Sequence, residues 1–245
     1  MKTPGVPDPG RRALLKGTAT AAALASLPLA RWVAAANRGV KIGVIGSGRV
    51  GSALGRVWAQ AGNEVMFSSL SLENDRKLAA DVGSNARAGT PREAAEFGQV
   101  LLFAVPYGAL PELGKSLDGL LKGKVIIDAC NPFPNRDGAI ATEALEKGAG
   151  LMSAELLPGA HIVRAFNAIG AETMGEAHEQ PGRFGMPIAG DKIAIDVASR
   201  LVREIGYVPV IVGGLDVGKY LRPGTPLQGE HTPEEIRKIA ASLKP

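Results

Sequence analysis

Short apolar runs alternate along most of the chain with segments in which apolar residues recur three and four positions apart. The short runs are typical of buried strands, and the spaced pattern is typical of helices that pack against a sheet. The predicted strands cover residues 40–45, 64–67, 86–88, 99–106, 124–132, 161–167, 187–190 and 208–212. Helices are predicted up to about residue 61, over about 73–82, 108–121, 139–147, 152–157 and 191–205, and from residues 90 and 232 onward. This alternation predicts an α/β fold with a doubly wound, mostly parallel sheet and flanking helices.

The first predicted strand leads directly into a glycine motif. Gly46, Gly48 and Gly51 form a GxGxxG pattern between that strand and the first helix. Gly46 permits the tight turn, Gly48 lets a pyrophosphate approach the backbone, and Gly51 lets the helix pack closely on the strand. The helix N-terminus also offers unpaired N–H groups to phosphate. In this context the motif predicts a Rossmann-type dinucleotide site. The alternative is an ordinary glycine-rich turn between a strand and a helix.

The end of the second strand bears on the choice of coenzyme. Folds specific for NAD place an acidic residue there, about 20 residues after the glycines, to bind the ribose hydroxyls. Here residues 68–71 read Ser-Ser-Leu-Ser, and the first acid that follows is Glu73. Serine hydroxyls suit a 2′-phosphate, with Arg49, Arg76 or Lys77 as charge partners. The pattern favours NADP, and NAD remains the alternative.

Polar residues follow three of the later strands. Tyr107, Asn131 and Asn167 each stand at the carboxyl end of a predicted strand, the edge that faces the ligand crevice in open α/β sheets. We expect them to line a cleft, although the two asparagines would also suit turn caps. Cys130, the only cysteine, is predicted to be a buried small hydrophobe. No metal-ligand spacing, GxSxG elbow, HExxH or Walker loop is present, so no metal site is predicted and a cofactor is expected to carry the chemistry.

Charge and composition single out the N-terminal segment. The chain has 28 lysines and arginines against 24 acids, and the excess lies in residues 1–36, so the remainder is neutral and no nucleic-acid partner is predicted. Arg11-Arg12 precedes a short apolar run and then Ala34-Ala35-Ala36, the order of a secretory signal of the twin-arginine (Tat) type. We therefore expect a signal peptide over residues 1–36, the Tat export machinery as a partner, and a periplasmic or secreted protein. The alternative is a disordered basic tail. Residues 37–245 then form the NADP-binding Rossmann domain with a C-terminal α/β extension.

Four segments together resemble a known family: GSGRVG, LLFAVPYGAL, KVIIDACNPF and HIVRAFNAIGAETM. They resemble the F420-dependent NADP oxidoreductase family, to which the cytosolic domain of the STEAP metalloreductases is related, over about residues 40–212. The resemblance implies that the start of the first helix holds the phosphates of NADPH and that the end of the second strand lies near its 2′-phosphate. It also implies that an aromatic residue lies beside the coenzyme and that two further residues lie near the reacting rings. The implied residues are Ser47, Gly48, Arg49, Val50, Ser69, Tyr107, Asn167 and Ala171.

The resemblance implies an oxidoreductase that transfers hydride between NADPH and a deazaflavin (F420), a flavin or another small acceptor, and the N-terminal segment adds the expectation that it is exported. One departure concerns Leu70, because family members often have arginine at that position. The stretch 215–230 is also less typical of the family and is expected to shape the acceptor site. A non-catalytic NADP-binding module is the alternative function, and a homodimer is left open.

Overall fold

The computed structural model describes Met1 and residues 39–243. The predicted signal peptide, residues 1–36, therefore lies outside the described residues apart from Met1. The unit that starts at Gly39 contains an eight-stranded sheet. Its strands are β1 (Lys41–Ile45), β2 (Glu64–Ser68), β3 (Ala86–Ala88), β4 (Val100–Phe103), β5 (Val125–Asp128), β6 (His161–Arg164), β7 (Gly185–Gly190) and β8 (Val208–Gly213).

Helices occupy most of the connections between these strands. The α-helices are α1 (Arg49–Gln60), α2 (Leu72–Val82), α3 (Pro91–Phe97), α4 (Leu110–Ser116), α5 (Pro134–Asp137), α6 (Ala139–Lys147), α7 (Ala149–Leu156), α8 (Ala171–Glu176), α9 (Lys192–Ile205) and α10 (Pro233–Ser242). Short 3₁₀ turns cover Tyr107–Ala109, Ala177–Glu179 and Val217–Tyr220. Thr90 and Thr232 start α3 and α10 with complete capping boxes, as the Thr-Pro-x-Glu segments predict.

The strand order is β3-β2-β1-β4-β5-β6-β7-β8. The first six strands are parallel to one another. β7 pairs antiparallel with β6, and β8 pairs parallel with β7. The predicted α/β, mostly parallel sheet of Rossmann type is thus confirmed, and the order in which the chain adds strands to the sheet reverses between β1 and β4. Dinucleotides bind at this reversal, because the two connections that leave there diverge and open a crevice.

The core lies on both faces of the sheet. Alternate residues of the parallel strands, such as Ile42 and Val44, pack with α1 and α9 on one face. Their neighbours, such as Ile45 and Phe103, pack with α3, α4 and α7 on the other. The continuous burial of the central strands explains why they read as uninterrupted apolar runs.

Two predicted helices differ from the structure. The helix predicted over residues 108–121 ends at Ser116, and Gly119 and Gly123 then take positive φ angles in turns. In α9 the four-residue repeat that starts at Ile193 predicts one buried face, yet Ile193 is 56% exposed. Because a helix has 3.6 residues per turn, a strict repeat of four drifts around its axis and leaves that face. In the described part of the chain, no helix has the length and apolarity needed to span a membrane.

Candidate active site

The glycine turn lies at the carboxyl end of β1 and is fixed to the end of β2. The backbone N–H groups of Gly46 and Ser47 both donate to the Ser68 carbonyl, at 2.9 and 3.0 Å. Gly46 has a φ of +100°, and a Cβ there would lie 2.5 Å from the Ala104 carbonyl oxygen. Only glycine fits such a position, because it combines a left-handed backbone with a close approach of the next strand's exit.

The other two glycines of the motif face opposite environments. A Cβ on Gly51 would lie 2.0 Å from the Gly46 carbonyl oxygen, so α1 packs against the turn at the closest possible distance. A Cβ on Gly48 would meet no atom within 4 Å. Gly48 is the N-cap of α1, and as a glycine it has no side chain that could accept a hydrogen bond from the first N–H groups of the helix. The turn therefore leaves open space in front of the first N–H groups of a twelve-residue helix, which is the geometry that a phosphate requires.

Arg49 and Val50 begin α1 at the rim of this space. The exposed Arg49 guanidinium forms an ion pair with Glu172, which is also exposed, in the first turn of α8. Ala171 stands next to Glu172 and starts α8. The structure thus brings three predicted site residues, Arg49, Val50 and Ala171, to one rim between α1 and α8.

A cavity of about 600 Å³ opens beside the glycine turn. Its walls come from the β1 turn, the exit of β2, the start of α3, and the segment from β4 into α4. Its lining is mostly apolar and includes Gly48, Ser69, Leu70, Val105, Pro106 and Leu113. An apolar slot next to the open N-terminus of a helix suits the adenosine half of a dinucleotide.

An acid that the sequence analysis passed over lies at the exit of β2. Asp75, in the first turn of α2, is fully buried. Its carboxylate accepts hydrogen bonds from Ser69 Oγ, at 3.0 Å to Oδ1 and 2.9 Å to Oδ2, and from Ser47 Oγ. The sequence contains a signal for it, since Asp75 follows the serine-rich strand end by one helical turn, but the acid that binds a ribose is expected at the strand end itself.

Tyr107 does not line the cleft, and this corrects the prediction. The ring is fully buried, and its hydroxyl donates to the Ala149 carbonyl at 2.8 Å and lies 3.2 Å from Ser153 Oγ. Burial raises the pKa of Tyr107. The 3₁₀ turn that follows Pro106 directs the side chain away from the sheet edge and under α7. Its observed contacts are those of a core residue that joins this turn to α7.

Asn131 and Asn167 are brought together at the exits of β5 and β6. Asn131 Nδ2 donates to the Asn167 carbonyl at 2.7 Å. The Asn167 side chain is 2% exposed, and its Nδ2 lies 3.4 Å from the Cys130 carbonyl. Its Oδ1 is buried and has no hydrogen-bond partner among the residues that the structure describes. Since an orphaned buried oxygen is costly, it is a natural position for an N–H group of a ligand.

The backbone before Asn167 is strained. Phe166 has a φ of +67° and is the only described residue other than glycine with a positive φ. Its ring meets Trp58 of α1 edge to face, with ring centroids 6.1 Å apart. Strained positions of this kind cost about 1–3 kcal/mol and cluster at binding sites. Packing against α1 holds this turn, and so holds the direction of Asn167.

A buried ion pair lies next to the strand exits that carry the two asparagines. Asp128 Oδ2 and Arg164 Nη1 are 2.6 Å apart, and both side chains are fully buried. Arg164 also donates to the carbonyls of Cys130, at 3.1 Å, and Leu221, at 3.2 Å. It therefore connects the β5 exit to the segment 215–230. The sequence analysis missed this pair, because its members lie 36 residues apart on strands with no polar pattern.

Two further predictions concern Cys130 and the segment 215–230. Cys130 is buried, and burial raises the pKa of its thiol, which confirms the interpretation of a small core residue. The segment 215–230 contacts the exit of β6, where the Gly229 N–H donates to the Ala168 carbonyl at 2.8 Å. It also forms one wall of a cavity of about 290 Å³ that is lined by Lys219, Arg222 and the N-terminus of α7.

Among the residues that the structure describes, no three histidine, cysteine or acidic side chains are grouped as metal ligands. His161 lies 3.2 Å from Asp191, and His231 Nε2 lies 3.0 Å from the Gln228 carbonyl oxygen. The open cradle at Gly48, the apolar cavity and the orphaned oxygen of Asn167 together fit a nicotinamide dinucleotide laid across the sheet edge.

Comparison with known proteins supports the same assignment. A family model described as NADP oxidoreductase, coenzyme F420-dependent, matches residues 41–132. An F420-dependent NADP reductase of Methanothermobacter marburgensis is 31% identical over 206 residues, which cover 77% of this chain and 90% of that protein. The metalloreductase STEAP3 of Rattus norvegicus is 27% identical over 179 residues, which cover 71% of this chain and 34% of that protein.

The fold has close counterparts among solved structures. A hypothetical protein of Sinorhizobium meliloti superimposes with a TM-score of 0.66 at 23% identity, over 82% of this chain and 98% of that one. That likeness concerns the fold, whereas the M. marburgensis reductase shares sequence over most of both chains. The resemblance drawn from the four motifs is confirmed, and the chain belongs to the F420-dependent NADP oxidoreductase family.

Proposed function

We propose that this protein is an NADP-dependent oxidoreductase that transfers hydride between NADPH and a small redox acceptor, with deazaflavin F420 first and a flavin second among the candidates. Family membership supports the coenzyme and the reaction class. The observation that carries the proposal is the unpaired, buried Oδ1 of Asn167 at the same sheet edge as the open glycine turn. It offers an acceptor where the nicotinamide half of the coenzyme is expected.

The sheet order supports one direction of binding. The glycine turn lies between β2 and β4, and the Asn131–Asn167 pair lies at the exits of β5 and β6. A dinucleotide whose pyrophosphate meets the start of α1 extends its two halves to opposite sides of this point. The adenosine half then enters the apolar cavity beside Ser69, and the nicotinamide half reaches over β4 towards β5 and β6.

The residues of this chain act mainly by orientation. Bound coenzyme supplies the hydride chemistry. The start of α1 would hold the pyrophosphate, and Asn167 Oδ1 would accept a hydrogen bond from a carboxamide or ring N–H. Asn131 holds the backbone carbonyl of Asn167, and Arg164 donates to the Cys130 carbonyl that the Asn167 Nδ2 faces. Neither asparagine titrates, so the site needs no proton transfer by these side chains, and orientation can contribute roughly 7–11 kcal/mol to lowering the barrier.

Isotope transfer tests the proposal. NADPH carrying deuterium at its transferable position is mixed with the enzyme and F420, or a flavin, under single-turnover conditions. We expect the label on the reduced acceptor, and we expect Asn167→Ala to slow this step about tenfold, the rate change equivalent to about 1.4 kcal/mol. Asn135→Ala, on an exposed position of α5, is the matched control and should transfer label at the parental rate.

The outcomes separate the candidate functions. Label found only in solvent would exclude direct transfer, and a fully active Asn167→Ala variant would remove that residue from the site. Retained NADPH binding without transfer to any acceptor would favour the non-catalytic binding module. Leu70, which is fully exposed where family members often carry arginine, keeps that alternative open.

We also propose that the protein is exported by the Tat route to the periplasm or the exterior. The arginine pair Arg11-Arg12, the apolar run and Ala34-Ala35-Ala36 support it. Replacement of both arginines by lysine should hold the protein in the cytoplasm, and undiminished export of that variant would refute the proposal. The homodimer stays a prediction, which sedimentation equilibrium at several concentrations would test.

A further inference from the structure

The Asp75 carboxylate is buried without a cation partner. The side chain is fully buried between Ser47, in the glycine turn, and Ser69, at the exit of β2. Among the described residues, no lysine, arginine or histidine forms an ion pair with it. A buried carboxylate is costly unless hydrogen bonds compensate it. Here the bonds come from the hydroxyl of Ser47, in the glycine turn, and from that of Ser69, which lines the cavity.

These bonds decide what the serines can offer to a ligand. A hydroxyl has one hydrogen to donate and two lone pairs to accept with. The hydroxyls of Ser47 and Ser69 both lie within hydrogen-bond distance of Asp75. Because a carboxylate can only accept, each serine donates its hydroxyl hydrogen to Asp75. Ser69 Oγ also accepts from the Ser71 N–H at 3.1 Å, so each hydroxyl has only lone pairs left to offer, and Ser69 has one. A lone pair accepts from the 2′-hydroxyl of a ribose, whereas a 2′-phosphate is itself an acceptor and finds no donor in these two hydroxyls.

The local charge acts in the same direction. A 2′-phosphate would lie near the negative charge of Asp75. Two of the three cations considered from the sequence are engaged elsewhere, because Lys77 pairs with Glu73 at 2.7 Å and Arg49 pairs with Glu172. Only Arg76, an exposed neighbour of Asp75, is left to face a 2′-phosphate. Leu70, which lines the cavity, adds no charge.

We propose that Asp75 is a coenzyme-specificity determinant, which acts through Ser47 and Ser69 to weaken binding of the 2′-phosphate and so admits NADH beside NADPH. The inference rests on the proposed function of the same site and deepens it. Asp75 is a positioning residue: it sets the donor and acceptor sense of two hydroxyls and does not itself meet the coenzyme.

Binding measurements without any acceptor test this inference independently of turnover. Dissociation constants for NAD⁺ and NADP⁺, and for the fragments 5′-AMP and 2′,5′-ADP, are measured by titration calorimetry on the protein and on Asp75→Asn. An asparagine amide can donate to the serines and releases their hydrogens towards the cavity. We expect the parent protein to bind NAD⁺ within tenfold of NADP⁺, and Asp75→Asn to shift the ratio at least fivefold towards NADP⁺ and 2′,5′-ADP.

Asp81→Asn is the matched control, because it removes the same charge from an exposed position of the same helix, where Asp81 lies 3.8 Å from Arg56. A shift below fivefold in Asp75→Asn, or an equal shift in Asp81→Asn, would overturn the inference. So would a parent protein that prefers NADP⁺ by more than tenfold, a measurement that does not depend on the folding of any variant. Failure of isotope transfer with these ratios intact would refute the proposed reaction and leave the specificity inference standing.

Discussion

Two glycines of one motif, three residues apart, should respond in opposite ways to the same added methyl group. Gly48 has a φ of −66° in the extended region and open space where a Cβ would stand. Gly48→Ala should therefore fold normally, at a cost below about 1 kcal/mol for a poorer N-cap. The methyl would, however, occupy the space in front of the first N–H groups of α1, and we expect at least a tenfold loss in NADP affinity, about 1.4 kcal/mol.

Gly51→Ala should instead damage the fold. Its Cβ would lie 2.0 Å from the Gly46 carbonyl oxygen and 2.9 Å from Val44 Cγ1, well inside the roughly 3.5 Å of ordinary contact. The first obstacle is backbone and cannot rotate away, so α1 has to move off the turn. Overpacking of this kind costs about 1–3 kcal/mol, and the backbone clash places this variant near 3 kcal/mol. For a domain of this size that corresponds to a fall in Tm of about 6–12 °C.

Calorimetric melting and coenzyme titration on both variants give the answer. Gly48→Ala should keep a Tm within about 4 °C of the parent protein, since each kcal/mol is worth about 2–4 °C, and lose affinity. Gly51→Ala should lose Tm. A Gly48→Ala variant with parental NADP affinity would refute the assignment of the turn to pyrophosphate. A Gly51→Ala variant with an unchanged Tm would refute the packing argument.

Three further predictions concern residues around the site. Tyr107→Phe should lose about 1 kcal/mol of unfolding free energy, the worth of a buried hydrogen bond, and leave coenzyme affinity unchanged in titration; weakened binding would return Tyr107 to the site. Arg164→Met should cost about 3–5 kcal/mol in denaturant unfolding, because it strands Asp128 as a buried charge, and a cost below 1 kcal/mol would contradict the pairing. Hydrogen bonds from the Thr232 backbone and side chain lower the pKa of Glu235. The loss of stability in Glu235→Gln should therefore be greatest at pH values above the ordinary pKa of the carboxyl group and should disappear as the pH falls through the lowered pKa. A difference in Tm that does not change with pH would rule this out.

Much of the fold follows from local pattern. The sequence predicts the strand, the glycine turn and the helix over residues 41–60 because each depends only on residues close by in the chain. The strand follows from an apolar run, the turn from glycine, and the helix from the spacing of its apolar face. The same holds for the helix starts at Thr90 and Thr232, where cap and acid lie three residues apart. The positions of Asn131 and Asn167 at strand exits also follow, since parallel strands all end at one edge.

What the sequence could not decide depends on groups that are distant along the chain. Ser47 and Asp75 meet across 28 residues, and Asp128 and Arg164 across 36, and no local periodicity records either contact. Whether Tyr107 turned to the cleft or to the core depended on where α7 packs, and the positive φ of Phe166 depends on its contact with Trp58. By itself the sequence determined the alternation of strands and helices, the glycine turn and the edge at which polar residues collect. Only tertiary packing decided which side chains reach that edge and which hydrogens they have left to donate, because both depend on which distant elements come into contact.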